Sequence, residues 1–382
     1  MNTISKSKFE FPLGYCEFHK DKTFNFQLNR WHSMGYARFE DMKEVAQKIN
    51  SFEEWKVEML GLAQVATSEN RLMNAAYYFR AAEFFTTRKD PDKEYLYNKL
   101  IERFYKAFQD EKIESFEVPY NDTFIPAKRI QPENMEIKGT IVLHGGFDSF
   151  IEEFFSLMKT FSDSGYEVIA FEGPGQGAAR KKYGLAFDHE WEKPTKAVLD
   201  HFNLEDVTLL GISMGGWLCL RAAAFDSRIK RVIAHSVSFD VNQYTNVIGQ
   251  RIAHLFFTRF RNFTNNAMLK KAKKNMMYSW FVSNLTYITD KEVPIDGFDV
   301  LLQLNEENLH PDLVKQDVLV LTGKKDHMIP LKMHDMQIKA LTGAKSVTGR
   351  VFTTEEHAQN HCQVGNIGLV ISVMMEWIAK KS

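Results

Sequence analysis

Ser213 lies in a motif that can make a serine hydroxyl reactive. Gly211-Ile212-Ser213-Met214-Gly215 matches G-x-S-x-G, and it stands between the apolar run 207–210 and the helical pattern 217–224. A nucleophile elbow requires a strand, a sharp turn and a helix in this order, and the small residues at 211 and 215 let the backbone close without a clash. The motif predicts Ser213 as the nucleophile of an acyl-transfer reaction, and a plain strand-to-helix turn is the alternative.

A serine hydroxyl also needs a base within hydrogen-bond reach and an acid that orients the base. Asp326 follows the apolar run DVLVLTG at 317–323, and active-site groups of open parallel sheets gather at the carboxyl ends of the strands. We therefore predict Asp326 as the acid, with a solvated loop aspartate as the alternative interpretation. Glu355 and Glu356 compete for this role, but they follow the last strand and stand too close to the base.

Two histidines are candidates for the base. His357 and His361 both precede the apolar helix pattern 367–378, and their position alone allows either. Their four-residue spacing also occurs in metal sites on helices, but no carboxylate partner follows at metal-site spacing. We expect no metal and no cofactor.

A glycine-rich segment can supply backbone donors for the oxyanion of a tetrahedral intermediate. Val142-Leu143-His144-Gly145-Gly146-Phe147-Asp148 resembles the HGG oxyanion motif that follows an early strand. One donor should be the N–H of Met214, next to the nucleophile. We assign the second donor to Phe147, with Gly146 as the alternative. The loop EGPGQG at 172–177 lacks the G-K-[ST] ending of a phosphate loop, and we interpret it as part of the edge that carries the site.

The elements that must position these residues form two parts. Residues 1–40 show no regular pattern, whereas 41–110 have the apolar periodicity of helices. From 113 onward, short apolar runs alternate with helical stretches, which is typical of a mostly parallel sheet with helices on both faces. We predict a helical cap at 1–112 and a catalytic α/β part at 113–382.

A long insertion interrupts the α/β pattern. Residues 239–316 separate two strands by far more than a crossover needs, and they are helical in pattern and rich in aromatic residues. We predict that this insertion and residues 41–110 both cover the catalytic edge and form an apolar pocket over Ser213. A dimer interface is the alternative for the insertion, and the two roles can coexist. The aromatic residues that support the prediction are Tyr244, Phe256, Phe257, Phe260, Trp280 and Phe281.

Composition limits the classes of partner. The net charge is −1, with 44% hydrophobic and 25% charged residues, so no overall field favours nucleic acid or an anionic membrane, and we expect neither. The lysines between 270 and 274 are interpreted as a solvated helix face. Three widely spaced cysteines, no secretory pattern at the N-terminus and no apolar run long enough to span a membrane predict a cytoplasmic protein.

Several motifs together resemble one group of α/β hydrolases. They are NAAYYFRAA at 74–82, HGGFDSFIEEF, FEGPGQG, GISMGG, TGKKD and HCQ-V-G. Their order is similar to that of α/β hydrolases with an N-terminal helical domain, including 2,6-dihydroxypseudooxynicotine hydrolase, fungal naphthopyrone chain-shortening hydrolases, fermentation–respiration switch esterases and acylaminoacyl-peptidase-like enzymes. In such relatives the catalytic histidine precedes Cys-Gln or a similar pair, which implies His361 rather than His357.

The resemblance implies a reaction class but no substrate. Members of the group range from esterases to enzymes that hydrolyse a C–C bond beside a ketone, and the substrate-binding residues of 239–316 match no one member. We expect a serine hydrolase acting on a small apolar or aromatic ester. The alternatives are a C–C hydrolase of a diketone, an acylaminoacyl-peptidase-like enzyme, and a small-molecule receptor that has no need of the triad.

Overall fold

An eight-stranded sheet organises the computed structural model, which describes residues 9–236 and 238–382. The strands are β1 Glu114–Tyr120, β2 Thr123–Ile130, β3 Thr140–His144, β4 Glu167–Phe171, β5 Val207–Ile212, β6 Ile229–His235, β7 Asp317–Gly323 and β8 Ser346–Phe352. Their order across the sheet is β1-β2-β4-β3-β5-β6-β7-β8. The pairs β1/β2 and β2/β4 are antiparallel, and the other five pairs are parallel. The predicted mostly parallel α/β sheet is confirmed.

The register of the parallel strands brings six loops to one edge. His144 of β3 pairs with Gly211 of β5, and Ile212 pairs with His235 of β6. Every residue of β5 is buried, because helices cover both faces of the sheet. The loops that follow β3, β4, β5, β6, β7 and β8 therefore open at the carboxyl ends of the strands, where sites of such sheets form.

Five helices precede the sheet. They are α1 Lys22–Ser33, α2 Phe39–Ala46, α3 Phe52–Ser68, α4 Leu72–Phe84 and α5 Lys93–Ala107. The prediction that residues 1–40 are irregular is wrong for α1 and the start of α2, and residues 1–8 lie outside the described residues. The carboxylate of Asp21 caps α1 by accepting from the N–H groups of Thr23 and Phe24, which satisfies two donors that a helix start leaves unpaired.

The remaining helices pack around the sheet or form the insertion. Those that accompany the strands are α6 Phe155–Asp163, α7 Gly177–Lys181, α8 Glu192–His201, α9 Gly215–Phe225, α15 Lys332–Ala340 and α16 Ile367–Lys381. Those between β6 and β7 are α10 Val247–Thr258, α11 Arg261–Ala272, α12 Met276–Thr289, α13 Pro294–Leu301 and α14 Glu306–Leu309.

Two apolar cores lie on the two faces of the sheet. Leu210 of β5 faces the core that also includes Trp31, Trp55 and Tyr77 from the N-terminal helices. Leu209, one residue earlier, faces the other core, because successive side chains of a strand point to opposite faces. Within the described residues, none of the helices combines the length and the apolar character that crossing a membrane requires.

Candidate active site

The turn between β5 and α9 holds Ser213 in a strained conformation. Its φ is 61°, a left-handed value that costs a non-glycine residue energy and that clusters at functional sites. The flanking glycines permit this turn, because a Cβ at Gly211 would lie 1.9 Å from the carbonyl oxygen of Gly215. A Cβ at Gly215 would lie 2.5 Å from the carbonyl oxygen of Gly145. The turn therefore presents the serine side chain at the sheet edge, as the G-x-S-x-G pattern predicts.

The structure brings Ser213, His361 and Asp326 into one hydrogen-bonded relay. Ser213 Oγ lies 2.9 Å from His361 Nε2, and His361 Nδ1 lies 2.7 Å from Asp326 Oδ2. Since a carboxylate only accepts, the imidazole donates from Nδ1, and Nε2 of the neutral ring accepts from the serine hydroxyl. This geometry is the one that the predicted nucleophile, base and orienting acid require.

Backbone donors fix the carboxylate of the relay. Asp326 Oδ1 accepts from the N–H groups of Met328 at 2.8 Å and Ile329 at 3.0 Å. Burial opposes ionisation of Asp326, but the neighbouring His361 and these donors outweigh it and lower the pKa of the carboxyl. Burial likewise disfavours a charged His361, but the Asp326 carboxylate outweighs it and raises the pKa of the imidazole well above its usual range.

The competing candidates lie outside the relay. His357 is exposed, and its imidazole forms no hydrogen bond with any described residue. Glu355 is also exposed. Glu356 pairs with Arg350 and accepts from the N–H of Thr353 at 2.9 Å. In residues 9–236 and 238–382, no group of three or more His, Cys, Asp and Glu side chains is arranged to hold a metal ion.

The glycine-rich loop after β3 passes close to the serine turn. A Cβ at Gly146 would lie 2.8 Å from the backbone nitrogen of Met214, so only glycine allows this approach. The Gly146 N–H donates to Ser149 Oγ at 3.2 Å. Among the described residues, by contrast, the N–H groups of Met214 and Phe147 have no acceptor. These two donors remain available to a ligand beside Ser213.

Gln176 orients that loop from the neighbouring EGPGQG segment. Its Nε2 donates to the carbonyl oxygens of Gly145 at 2.7 Å and Gly146 at 3.1 Å, while its Oε1 accepts from the Gly173 N–H. Fixing the Gly146 carbonyl also fixes the N–H of Phe147, because both belong to one planar peptide group. Sequence reasoning placed this segment at the site edge but did not single out Gln176.

An apolar cavity of about 490 Å³ opens over the relay. Ser213, Met214 and His361 form part of its wall, together with Phe147 of the glycine-rich loop after β3. Residues of the 239–316 insertion supply much of the rest. They are Val241, Tyr244, Met277, Trp280, Phe281, Phe298, Leu301 and Leu304. Tyr244, Trp280 and Phe281 of the predicted aromatic set thus line the cavity, whereas Phe256, Phe257 and Phe260 do not.

The N-terminal helices reach this cavity through α1 rather than through residues 41–110. Phe26 and Arg30 of α1 line the cavity with Met34, which follows the helix, and none of the described wall residues belongs to 41–110. The prediction that 41–110 forms part of the pocket is therefore wrong. The reason is that Trp280 of the insertion lies between α4 and the cavity. Trp280 stacks on Phe84 of α4 and donates to the Phe84 carbonyl oxygen at 2.8 Å.

Sequence reasoning missed two polar side chains of the cavity wall, Arg30 and His235. Arg30 pairs through Nη2 with the buried Glu153, and Arg30 Nη1 lies 3.8 Å from Asp148 Oδ1. His235, at the end of β6, also lines the cavity. Burial lowers its pKa to about 4, and the neutral ring donates from Nε2 to Gln363 Oε1 at 2.5 Å. Asp21, whose residue type favours a helix start, was the sequence signal that could have predicted α1. Predicting α1 would have placed Arg30 on a helix.

Comparison with known proteins gives the family. A family model described as the alpha/beta hydrolase fold matches residues 140–359. The chain belongs to this family.

Two solved structures share the fold over most of the chain. The crystal structure of 2,6-dihydroxy-pseudo-oxynicotine hydrolase superposes with a TM-score of 0.66 at 19% identity, covering 91% of this chain and 94% of that one. AbyA5 superposes with a TM-score of 0.66 at 16% identity, with 90% of each chain covered.

Curated relatives of this α/β hydrolase include several fungal proteins. Hydrolase LUC6 of Fusarium is 27% identical over 66% of this chain, and 20-hydroxy-prefusarin hydrolase FUS2 of Gibberella moniliformis is 28% identical over 66%. The match covers 66% of the length of each, so the chain spans just under two thirds of these relatives. Alpha/beta hydrolase psoB of Aspergillus fumigatus is 28% identical over 81% of this chain and 77% of its own length.

Proposed function

We propose that this α/β hydrolase is a serine hydrolase that cleaves acyl esters of apolar, uncharged compounds. The observation that carries the proposal is the Ser213–His361–Asp326 relay, which opens into a mostly apolar cavity. A receptor would need the cavity but not a serine in a strained turn with a base and a buried carboxylate behind it.

Each residue of the relay takes one step of the reaction. The Ser213 hydroxyl attacks the acyl carbon while His361 Nε2 takes its proton, and Asp326 stabilises the imidazolium that forms. The N–H groups of Met214 and Phe147 donate to the developing oxyanion. His361 then returns the proton to the leaving alcohol, and a water molecule activated by the same imidazole hydrolyses the acyl-enzyme.

The cavity wall supports an uncharged substrate of moderate size. Its volume lies within the roughly 300–1,000 Å³ of small-molecule sites. Two of its described wall residues, Arg30 and Asp148, have opposite charges that lie 3.8 Å apart and offset each other. Neither charge is therefore left to pair with a charged peptide terminus. This favours an ester over an aminoacyl peptide. A diketone with apolar substituents meets the same requirements, and C–C hydrolysis remains the alternative that the experiment must separate.

The experiment is a substrate panel run on matched variants. It compares p-nitrophenyl acyl esters, aminoacyl p-nitroanilides, β-diketones and 20-hydroxy-prefusarin, the compound in the name of the FUS2 relative. We expect ester turnover, and a loss of kcat of roughly 10³-fold or more in Ser213→Ala and in His361→Ala. His357→Ala is the matched control, since it removes a nearby but exposed imidazole, and it should retain activity.

A covalent probe tests the nucleophile independently of the substrate. A fluorophosphonate should label Ser213 in the folded protein, because labelling needs both an activated hydroxyl and oxyanion donors. Full activity in Ser213→Ala, or a severe loss in His357→Ala with a mild one in His361→Ala, would contradict the proposed roles. Turnover of diketones but not of esters would replace ester cleavage by C–C hydrolysis.

A further inference from the structure

We propose that the insertion carries a docking surface for an anionic lipid bilayer. The surface consists of α10, α11 and the residues up to Asn275, and we call it the 247–275 hairpin. Sequence reasoning expected no membrane partner, because the net charge of the whole chain is only −1. The local distribution of charge and apolar surface in the hairpin leads to a different conclusion. The proposal concerns binding and does not depend on the proposed reaction.

The hairpin leaves large apolar side chains in water. Ile248, Ile252 and Leu255 follow one another at helical spacing along α10 and form a single stripe. The exposed apolar side chains of the hairpin, with exposed fractions between 41% and 69%, are Ile248, Ile252, Leu255, Phe260, Phe263 and Leu269. Within the described residues, no other element covers them. An apolar surface of this kind marks an interaction site.

The same hairpin is strongly basic. Between 247 and 275 the chain has seven Lys or Arg residues and no Asp or Glu. Arg261 pairs with Asp296 and Asp299 of α13, but no ion pair with a described residue involves the other six. Those six are Arg251, Arg259, Lys270, Lys271, Lys273 and Lys274, all of them exposed. Glu53 and Asp90 share a groove with the last two lysines, so the surface keeps an excess of positive charge.

Charge and apolarity together select the occupant. A second copy of this chain would bring two basic surfaces into contact, because a two-fold interface uses the same patch twice. A nucleic acid would neutralise the lysines but would leave the aliphatic stripe of α10 in water. A bilayer with anionic headgroups satisfies both features, since its acyl region buries the stripe while its surface attracts the cations.

Aromatic contacts connect the hairpin to the cavity over Ser213. The ring of Phe257 in α10 lies 5.8 Å from that of Phe298, and Phe298 lies 5.6 Å from Phe281. Phe298 and Phe281 both line the cavity. Docking would therefore place the insertion side of the cavity next to the bilayer, where apolar compounds concentrate.

The test is flotation of the full chain with vesicles of defined composition. We compare vesicles of phosphatidylcholine alone with vesicles containing 30% phosphatidylglycerol, a composition chosen for a strong surface charge. We expect at least tenfold tighter binding to the anionic vesicles, because each basic residue at such a surface adds roughly fivefold. Binding should weaken in 0.5 M NaCl, since salt screens exposed charges.

Two hairpin variants separate the apolar from the basic contribution. The apolar variant is Ile248→Ser/Ile252→Ser/Leu255→Ser, and the basic variant is Lys270→Gln/Lys271→Gln/Lys273→Gln/Lys274→Gln. Each should reduce vesicle binding at least tenfold. The matched controls change equally exposed residues elsewhere and should bind like the wild type. They are Leu13→Ser/Val57→Ser/Val65→Ser and Lys43→Gln/Lys89→Gln/Lys106→Gln/Lys380→Gln.

Each contrary outcome overturns the proposal. Thermal unfolding first establishes that every variant is folded, without reference to activity. No binding to anionic vesicles, equal binding to both kinds of vesicle, or an equal loss in the control variants excludes a lipid-docking hairpin. A wild type that is dimeric by light scattering, with the apolar hairpin variant monomeric, would identify a second copy as the occupant. Binding of the basic surface to DNA but not to vesicles would identify a nucleic acid.

Discussion

In the proposed mechanism, the charge state of His361 sets the pH at which Ser213 can be activated. The base must be neutral to take the serine proton, and the Asp326 carboxylate raises the pKa of the imidazole. We predict that kcat/KM rises with pH and that this rise is centred above pH 6.5, the usual pKa of histidine. The measurement is a pH profile of kcat/KM for an ester at fixed ionic strength.

Removing the carboxylate tests the cause of this shift. Asp326→Asn removes the negative charge that raises the pKa of His361 against the lowering effect of burial. The inflection of the pH profile should therefore move to lower pH. The rate should also fall by roughly 10⁴-fold, because the imidazole loses the partner that fixes its tautomer. An inflection that stays in place in Asp326→Asn would show that another group controls the profile.

Gln176 holds the loop that would supply the Phe147 N–H to the oxyanion in the proposed mechanism. We predict that Gln176→Leu lowers kcat by roughly 10²-fold while KM changes little, because a misplaced Phe147 N–H weakens a contact made mainly in the transition state. The measurement is steady-state kinetics with one ester. Gln337→Leu is the matched control, since Gln337 is a fully buried glutamine on α15. A rise in KM at constant kcat would instead assign Gln176 to substrate binding.

At the scale of elements, local signals explain which parts could be predicted from the sequence. The serine turn carries its glycines, its buried strand and its helix within residues 207–225, so its structure followed from adjacent residues. The strand β8 was not singled out, because it lies at the edge of the sheet and is mostly half-exposed or exposed. Its sequence SVTGRVF consequently lacks the continuous apolar character of the central strands.

The helix α1 escaped prediction because other segments surround it. Asn25 and Asn29 are buried in it along with its apolar residues, so its polar residues do not mark a solvent-exposed face. Their side chains bind the preceding segment: Asn29 Oδ1 accepts from the Cys16 N–H at 2.7 Å, and Asn25 Oδ1 accepts from the His19 N–H at 3.0 Å. These partners are defined only by the tertiary structure.

The position of α1 beside the cavity predicts a role in selecting substrates. Phe26 lines the cavity, and its ring lies 6.4 Å from that of His361. We predict that Phe26→Ala raises the kcat/KM of bulky acyl esters relative to acetate esters by roughly tenfold or more, because truncation enlarges the cavity beside the relay. A chain-length series of esters measures this ratio. Phe225→Ala, at an exposed phenylalanine of α9, should leave the ratio unchanged, and an equal shift in both variants would contradict a direct role.

At the scale of the whole molecule, buried charges join the N-terminal helices to the glycine-rich loop after β3. Arg80 of α4 donates from Nε to Glu153 at 2.7 Å and from Nη2 to the Asp148 carbonyl oxygen at 2.5 Å. Arg80 also pairs with Glu83, which Lys93 contacts at 2.9 Å. Because both parts also share the apolar core on one face of the sheet, we expect them to unfold together.

Breaking this cluster should destabilise both parts at once. Arg80→Met leaves Glu83 and Glu153 buried with less compensation, so we predict a loss of about 3–5 kcal/mol in the free energy of unfolding. Urea unfolding followed by tryptophan fluorescence and by far-UV circular dichroism measures this loss, and the two transitions should coincide. The control is Lys56→Met, whose partners Asp90 and Asp92 are partly exposed and whose ion pairs should contribute less than about 1 kcal/mol. Separate transitions would show that the helices and the sheet unfold independently, because the shared core and the charge cluster would then be too weak to couple them.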